Sequence, residues 1–120
     1  MLLRSASVAT TLALALAGAH AQDAAAGGMA FQQCAECHSP GASDGNGPGL
    51  KGVVGRKAGS KDGFVYSAAM KKAAVTWDDK TLDAFLKDPR AVVPGTTMAY
   101  GGDDDAKERA DLVAYLKTLK

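Results

Sequence analysis

The chain has 120 residues, of which 47% are hydrophobic and 6% aromatic, and its formal net charge is +1. A chain of this length forms one small domain with a modest core, so a disulfide, a metal or a cofactor is expected to help stabilise it. The near-neutral charge excludes a general nucleic-acid-binding role, which requires a basic domain with clustered lysine and arginine.

The first element is an apolar segment at the N-terminus. Arg4 precedes an apolar run from about Ala6 to Ala17, and Ala19-His20-Ala21 forms an A-x-A cleavage site. This is the pattern of a secretory signal peptide, and the run is short for a membrane span, which needs about 20 residues. We therefore predict a cleaved signal peptide over 1–21, one domain over 22–120, export to the periplasm and no stable membrane insertion. An uncleaved anchor and a mitochondrial transit peptide are the less favoured alternatives.

Four helices separated by long loops are predicted downstream of the signal. A short one is expected around Ser67–Ala73; a second begins after Asp78, which can cap it, and is stopped by Pro89. The Gly-rich stretch 39–61 is an ordered loop of the kind that wraps a ligand or carries function. No run alternates as a strand does, so the fold class is all-α. The remaining two helices are the Ala-rich Asp23–Gln33 and the strongest, Asp103–Lys120, which presents an apolar stripe of Leu112, Tyr115, Leu116 and Leu119.

The segment CAECH, from Cys34 to His38, contains the only two cysteines. Four interpretations compete. A disulfide between the cysteines leaves the histidine unexplained, and a thioredoxin-like redox pair is expected near a βαβ pattern, which is absent. A structural zinc site needs four ligands, but His38 is the one histidine left after the signal is removed. The fourth interpretation is covalent haem attachment, which is the established meaning of C-x-x-C-H. Positions i, i+3 and i+4 share one helical face, so both cysteines and the histidine can reach one porphyrin ring.

A haem held by one histidine needs a second axial ligand from elsewhere in the chain. The candidates are the methionines downstream of the signal. Met29 lies too close to the haem-binding turn to reach the opposite face of the ring, and Met70 falls in the short helix, where core packing is the simpler role. Met98, in the loop sequence VVPGTTMAY, is the best candidate.

The chain resembles the class I cytochromes c of mitochondria and the bacterial periplasm. The resemblance runs from about Gly27 to Leu119, and Gly27 and Phe31 match the family's contact between the first helix and the last. It is carried by motifs that occur in the family's order at nearly the family's spacing: CAECH, GPGLKGVVGRKAG, GFVYS, TW, DPRAVVPGTTM and ERADLVAYLK. It implies the cytochrome c fold, three main helices plus a short one with long loops wrapped around one covalent haem c.

The resemblance also implies a role for individual residues. Cys34 and Cys37 would hold the haem, His38 and Met98 would be its axial ligands, and the Pro48 carbonyl would orient His38. The residues expected to neutralise or hydrogen-bond the haem propionates are Arg56, Tyr66, Trp77 and Thr96.

The sequence departs from the family pattern at several positions. Phe85 replaces a tyrosine that hydrogen-bonds near the methionine sulfur, and Met70 replaces an asparagine that helps hold an internal water. The loop between His38 and Gly47 is two residues shorter than in vertebrate members. Lysines that ring the haem edge there are replaced by Gln33, Thr97 and Asp103–Asp105, so docking through a strongly basic face is not expected.

The function implied is that of a soluble one-electron carrier, not an enzyme, with membrane-bound or periplasmic redox proteins as partners and a monomeric state. An alternative is the haem subunit of a periplasmic dehydrogenase complex. Two other classes stay open at this point: a haem peroxidase-like enzyme with a vacant distal position, and a binding module without haem, stabilised by a disulfide or a metal.

Overall fold

A computed structural model describes residues 22–120, and the predicted signal peptide lies outside the described residues. These described residues form five α-helices: α1 (Ala24–Ala30), α2 (Ala68–Lys72), α3 (Asp79–Lys87), α4 (Pro89–Val92) and α5 (Ala106–Lys117). Between residues 22 and 120 there is no strand, and Lys57 and Thr76 form one isolated β-bridge. The all-α prediction is therefore confirmed.

Aspartate or serine side chains fix where all five of these helices begin. Asp23 accepts from the backbone N–H groups of Ala25 and Ala26 at the start of α1, and Ser67 accepts from Met70 at the start of α2. Asp78 and Thr81 form a reciprocal capping box at the start of α3. These bonds satisfy backbone donors that have no partner inside the helix. Asp105 caps α5 in the same way, accepting from Lys107 and Glu108.

One predicted boundary was correct but is followed by a helix that was not expected, and another boundary was wrong. Pro89 does stop α3, which ends at Lys87, but it also opens the additional helix α4, where its missing N–H is harmless. The last helix begins at Ala106 and not at Asp103. Tertiary contacts keep Asp103 out of the helix, because its N–H donates to Leu86 O at 2.8 Å and its carbonyl accepts from Arg109 Nη1 at 2.9 Å.

The first and last helices pack against each other at Gly27. A Cβ built there would overlap the Asp111 carbonyl oxygen and lie 2.9 Å from Tyr115 Cβ, so only glycine permits this approach. The 3₁₀ turn Phe31–Gln33 continues α1, and the Phe31 and Tyr115 rings lie 5.1 Å apart. The core extends from this crossing and contains Phe31, Val53, Ala58, Trp77, Leu82, Phe85, Leu86, Val93, Leu112, Val113 and Leu116.

None of the helices between residues 22 and 120 combines the length and apolarity needed to span a bilayer.

Candidate cofactor site

The two cysteines and the histidine lie on one helical turn that continues from the 3₁₀ segment. His38 N donates to Cys34 O at 2.9 Å, and Cys37 N donates to Cys34 O at 3.1 Å. Both cysteines are free thiols; Cys34 is half-buried and Cys37 exposed. The turn therefore presents two reduced sulfur atoms and one imidazole to the same region of the molecule.

The Gly-rich loop fixes the orientation of the His38 ring. Its Nδ1 lies 2.8 Å from Pro48 O. Because a carbonyl oxygen only accepts, Nδ1 carries the proton and Nε2 keeps a free lone pair, the tautomer suited to binding a metal. Gly47 packs flat on the ring, since a Cβ there would lie 2.6 Å from Nδ1. Gly47 N donates to Cys37 O at 2.9 Å, which ties the loop back to the cysteine turn.

Behind this turn lies a cavity of about 370 Å³. Its walls are largely apolar, with contributions from Leu50, Val53, Leu82, Leu86 and Leu112. A mostly apolar cavity with a few convergent polar groups is typical of a cofactor site. All the site residues named from the sequence line this one cavity: Cys34, Cys37, His38, Pro48, Arg56, Tyr66, Trp77, Thr96 and Met98.

Arg56 is the one full charge among the predicted propionate-binding side chains. Its Nη1 and Nη2 atoms both lie 3.2 Å from Gly49 O, which anchors the guanidinium at the cavity wall. A guanidinium has five donor hydrogens, so further donors stay available to an anionic group.

The hydroxyl groups of Tyr66 and Thr96 are also anchored at the wall. Tyr66 Oη accepts from Lys61 N at 3.2 Å, and Thr96 Oγ1 accepts from Met98 N at 3.3 Å. In both contacts the hydroxyl oxygen is the acceptor, which leaves its own hydrogen able to donate elsewhere.

Aromatic and thioether side chains form part of the cavity wall. Trp77 and Phe85 are buried and meet edge to face with ring centroids 5.0 Å apart. Met70 also lines the cavity, and Met98 is half-buried against the core. The departures noted at Phe85 and Met70 thus place a ring and a thioether where the family pattern has polar groups.

The structure disfavours the three interpretations of the cysteine pair that do not involve haem. The thiols are not joined in a disulfide. Burial, and next the neighbouring Cys37, raise the pKa of Cys34, whereas a redox-active cysteine needs a lowered pKa. Between residues 22 and 120, no three His, Cys, Asp or Glu side chains converge as a metal-ion site would require. Two free thiols and an imidazole with a free Nε2 beside a large apolar cavity do fit a covalently attached haem.

Three polar side chains at or near this site were missed from the sequence. Asp44 accepts from Gly49 N at 2.8 Å and pairs with Lys61 Nζ at 2.9 Å, beside the peptide that contacts His38. Arg90 donates through Nη1 to Tyr100 O at 3.1 Å and through Nη2 to Met98 O at 3.4 Å. Each contact joins segments whose proximity depends on loop geometry, and no motif spacing signals it.

An all-α fold whose helices and long loops enclose a largely apolar cavity, lined also by two thiols and a histidine, defines a c-type haem protein. The model of the family described as Cytochrome c matches residues 24–120. Cytochrome c2 from Blastochloris viridis is 44% identical over 108 residues, covering 88% of this chain and 85% of that protein. Cytochrome c2 from Rhodomicrobium vannielii is 49% identical over 100 residues, covering 82% of this chain and 80% of that protein.

A solved structure gives the same result. Cytochrome cH from Methylobacterium extorquens is 50% identical and superposes with a TM-score of 0.77, covering 80% of this chain and 98% of that one. The chain belongs to the cytochrome c family. Members of this family carry one covalently bound haem c and act as electron carriers between redox partners, not as enzymes. The resemblance inferred from the motifs is confirmed.

Proposed function

We propose that this protein is an exported one-electron carrier whose haem is attached through Cys34 and Cys37 and ligated axially by His38 Nε2 and Met98 Sδ. The observation that carries the proposal is that these four side chains line a single cavity, with His38 held by Pro48 O at 2.8 Å. Cys34 and Cys37 would each form a thioether by adding their S–H across a haem vinyl group, an addition that needs no oxidant.

The haem supplies the one-electron couple, and the chain's residues determine how that couple behaves. His38 is held in one tautomer by Pro48, so Nε2 is constantly presented. Met98 provides a soft thioether, which favours the ferrous state and raises the potential. With His38 and Met98 both bound to it, the iron would have no position open for oxygen or substrate. The apolar walls formed by residues such as Leu82 and Leu86 exclude water from the site.

The partners proposed are periplasmic or membrane-bound redox proteins that meet the carrier in brief, small-area encounters. Gln33 and Thr97 are exposed beside the cavity residues Cys34 and Met98, and neither is charged. Uncharged side chains at these two positions accord with docking of a monomer through a face that is not strongly basic. Nothing in the fold or the site favours the alternative of a dehydrogenase subunit.

Mass spectrometry and visible spectroscopy of the protein purified from the periplasm test the proposal. We expect a mass equal to residues 22–120 plus one haem, and in the ferric protein the absorption band of a methionine–iron bond. A chain without the haem mass contradicts the attachment, one that still contains residues 1–21 contradicts cleavage of the signal peptide, and absence of the protein from the periplasmic fraction contradicts export.

A pair of methionine variants tests the axial ligand. Met98→Ala should abolish the methionine–iron band and let the ferrous protein bind carbon monoxide. Met70→Leu is the matched control, because Met70 lines the same cavity but is assigned no ligand role. A wild-type protein that binds carbon monoxide readily would instead support the peroxidase-like alternative.

A further inference from the structure

The peptide unit between Pro48 and Gly49 is held at both of its polar ends. Its carbonyl oxygen, Pro48 O, lies 2.8 Å from His38 Nδ1. Its N–H, on Gly49, donates to Asp44 Oδ1 at 2.8 Å. One peptide group therefore separates a carboxylate from the imidazole proposed to bind iron.

The same carboxylate oxygen is shared with a lysine. Lys61 Nζ lies 2.9 Å from Asp44 Oδ1, and the two side chains are only 19% and 28% exposed, respectively. Lys61 is itself anchored, because its backbone N–H donates to Tyr66 Oη. A charged pair shielded in this way is screened by salt less than an open surface pair.

Asp44 is ionised at neutral pH. The Gly49 N–H bond, and then Lys61, hold the pKa of its carboxyl below the ordinary value. The charged groups that face it are Lys61 and Arg56, and Arg56 also donates to Gly49 O. The negative charge of Asp44 therefore lies at the N–H end of the Pro48–Gly49 peptide, and the positive charges of Lys61 and Arg56 partly compensate it.

We infer that the Lys61–Asp44 pair tunes the electron donation of His38 through the Pro48–Gly49 peptide. The inference rests on His38 being the axial ligand proposed above. A carboxylate at the N–H end polarises the peptide and makes its carbonyl a stronger acceptor, since hydrogen bonds in a chain strengthen one another. A stronger bond at Nδ1 makes Nε2 a better donor, which stabilises ferric iron and lowers the reduction potential. Lys61 partly neutralises the charge of Asp44 and so weakens this effect.

We call this transmission from Asp44 through the Pro48–Gly49 peptide to His38 the relay. Two substitutions that should shift the reduction potential in opposite directions test it. Asp44→Asn keeps an oxygen that can accept from Gly49 N–H but removes the charge, so the reduction potential should rise. Lys61→Gln leaves the Asp44 charge uncompensated, so the potential should fall. Asp62→Asn is the control, because Asp62 is an exposed acid next to Lys61 in sequence. Its effect on the potential should be the smallest, and it should vanish first as salt is added.

A second readout separates the relay from a through-space charge effect. In the reduced protein, the proton resonance of His38 Nδ1–H should move in opposite directions in Asp44→Asn and Lys61→Gln and stay in place in Asp62→Asn. Hydrogen exchange at Gly49 N–H should be about tenfold faster or more in Asp44→Ala, because a bond to a charged group is lost.

The measurements distinguish a failure of the relay from a failure of the proposed function. If the wild-type protein lacks the haem mass or the methionine–iron band, the proposed function fails. If haem and band are intact but the potential of Asp44→Asn moves no more than that of Asp62→Asn, the relay is refuted. A shift in potential with an unmoved His38 Nδ1–H resonance refutes it equally. Lys61→Gln gives the same decision independently should Asp44→Asn fail to fold.

Discussion

Arg109 Nε donates to Asp83 Oδ1 at 2.8 Å and joins α5 to α3. The arginine side chain is 8% exposed and the aspartate 48%, so the cation is enclosed while its partner reaches solvent. The same guanidinium donates through Nη1 to Asp103 O at 2.9 Å. One side chain thus fixes two helices and the segment that precedes α5.

Arg109→Lys is expected to lower the free energy of unfolding although it keeps the charge. A single ammonium group lacks the planar fork that reaches Asp83 and Asp103 O together. The control is Lys117→Gln, which breaks the exposed Lys117–Asp79 ion pair between the same two helices. Such exposed pairs contribute about 0–1 kcal/mol. In urea unfolding the Arg109 variant should lose several times more than the control, and equal losses would contradict the prediction.

The crossing of α1 and α5 predicts a sharp difference between two adjacent glycines. Gly27→Ala would drive a methyl group into the Asp111 carbonyl, and backbone cannot move aside as a flexible side chain does. We expect a loss of about 3 kcal/mol or more, at the upper end for overpacked sites. Urea unfolding of the holoprotein, followed by far-UV circular dichroism, measures it.

Gly28→Ala is the matched control on the same helix. A Cβ at Gly28 would lie 3.3 Å from the Tyr115 ring, a close contact with a side chain that can shift. Alanine also gains about 1 kcal/mol in helix propensity, which offsets that contact. The net change should be within about 1 kcal/mol of zero. If Gly28→Ala is as damaging as Gly27→Ala, the backbone-overlap argument is wrong.

The sequence predicted those parts of the fold that depend on local chemistry. The cap at Asp78 and the stop at Pro89 were correct, because an N-cap and a missing N–H act over one helical turn. The start of α5 was not predictable in the same way. Three consecutive aspartates can each act as the cap, and the choice of Asp105 is made by distant contacts of Asp103 with Leu86 and Arg109.

In the candidate site, too, features set by local sequence were predictable and features set by distant contacts were not. The cysteine turn has a fixed spacing, so the motif alone indicated its chemistry. Asp44 and Lys61 meet because the two ends of the irregular stretch 39–61 approach each other. Arg90, in α4, meets Met98 O because the loop that follows this helix comes back to it. Loop-to-loop contacts have no periodicity to detect, so the polar groups that support the ligands emerge only from the structure.

The cap of α3 predicts a specific dependence of stability on pH. The N–H of Thr81, and then its hydroxyl, hold the pKa of Asp78 below its ordinary value. In the acidic range the unfolded state therefore binds more protons at Asp78 than the folded state does. The stability that the Asp78 carboxylate contributes is complete above its unfolded pKa of about 3.9 and is lost as the pH falls through its lower folded pKa.

Asp78→Asn should separate the cap from its charge. Asparagine caps helices as well as aspartate does, so stability at pH 7 should change little. Below about pH 5 the variant should lose less stability than the wild type, because it has no carboxylate to protonate. Urea unfolding from neutral pH down to about pH 3 measures the difference, with the exposed Asp62→Asn as control. A constant offset between Asp78→Asn and the wild type at every pH would contradict the prediction.

Arg90 is expected to control how readily the Met98 loop opens. Its guanidinium donates to Tyr100 O at 3.1 Å and, over a longer 3.4 Å, to Met98 O, and its own backbone N–H is held by Asp88. These bonds are made only while the loop is closed, so removing them raises the fraction of open molecules. An added ligand that replaces Met98 on the iron then binds with a higher apparent affinity.

Arg90→Ala should accordingly increase the affinity of the ferric protein for imidazole about threefold to tenfold, the range expected for one or two modest hydrogen bonds. Arg90→Lys, which keeps a charge on a flexible stem, should be intermediate. Titration with imidazole, followed by loss of the methionine–iron band, measures the affinity. Lys87→Ala is the control, because Lys87 is an exposed cation in the last turn of α3. If Arg90→Ala and Lys87→Ala bind imidazole alike, the hydrogen bonds from Arg90 do not hold the loop closed.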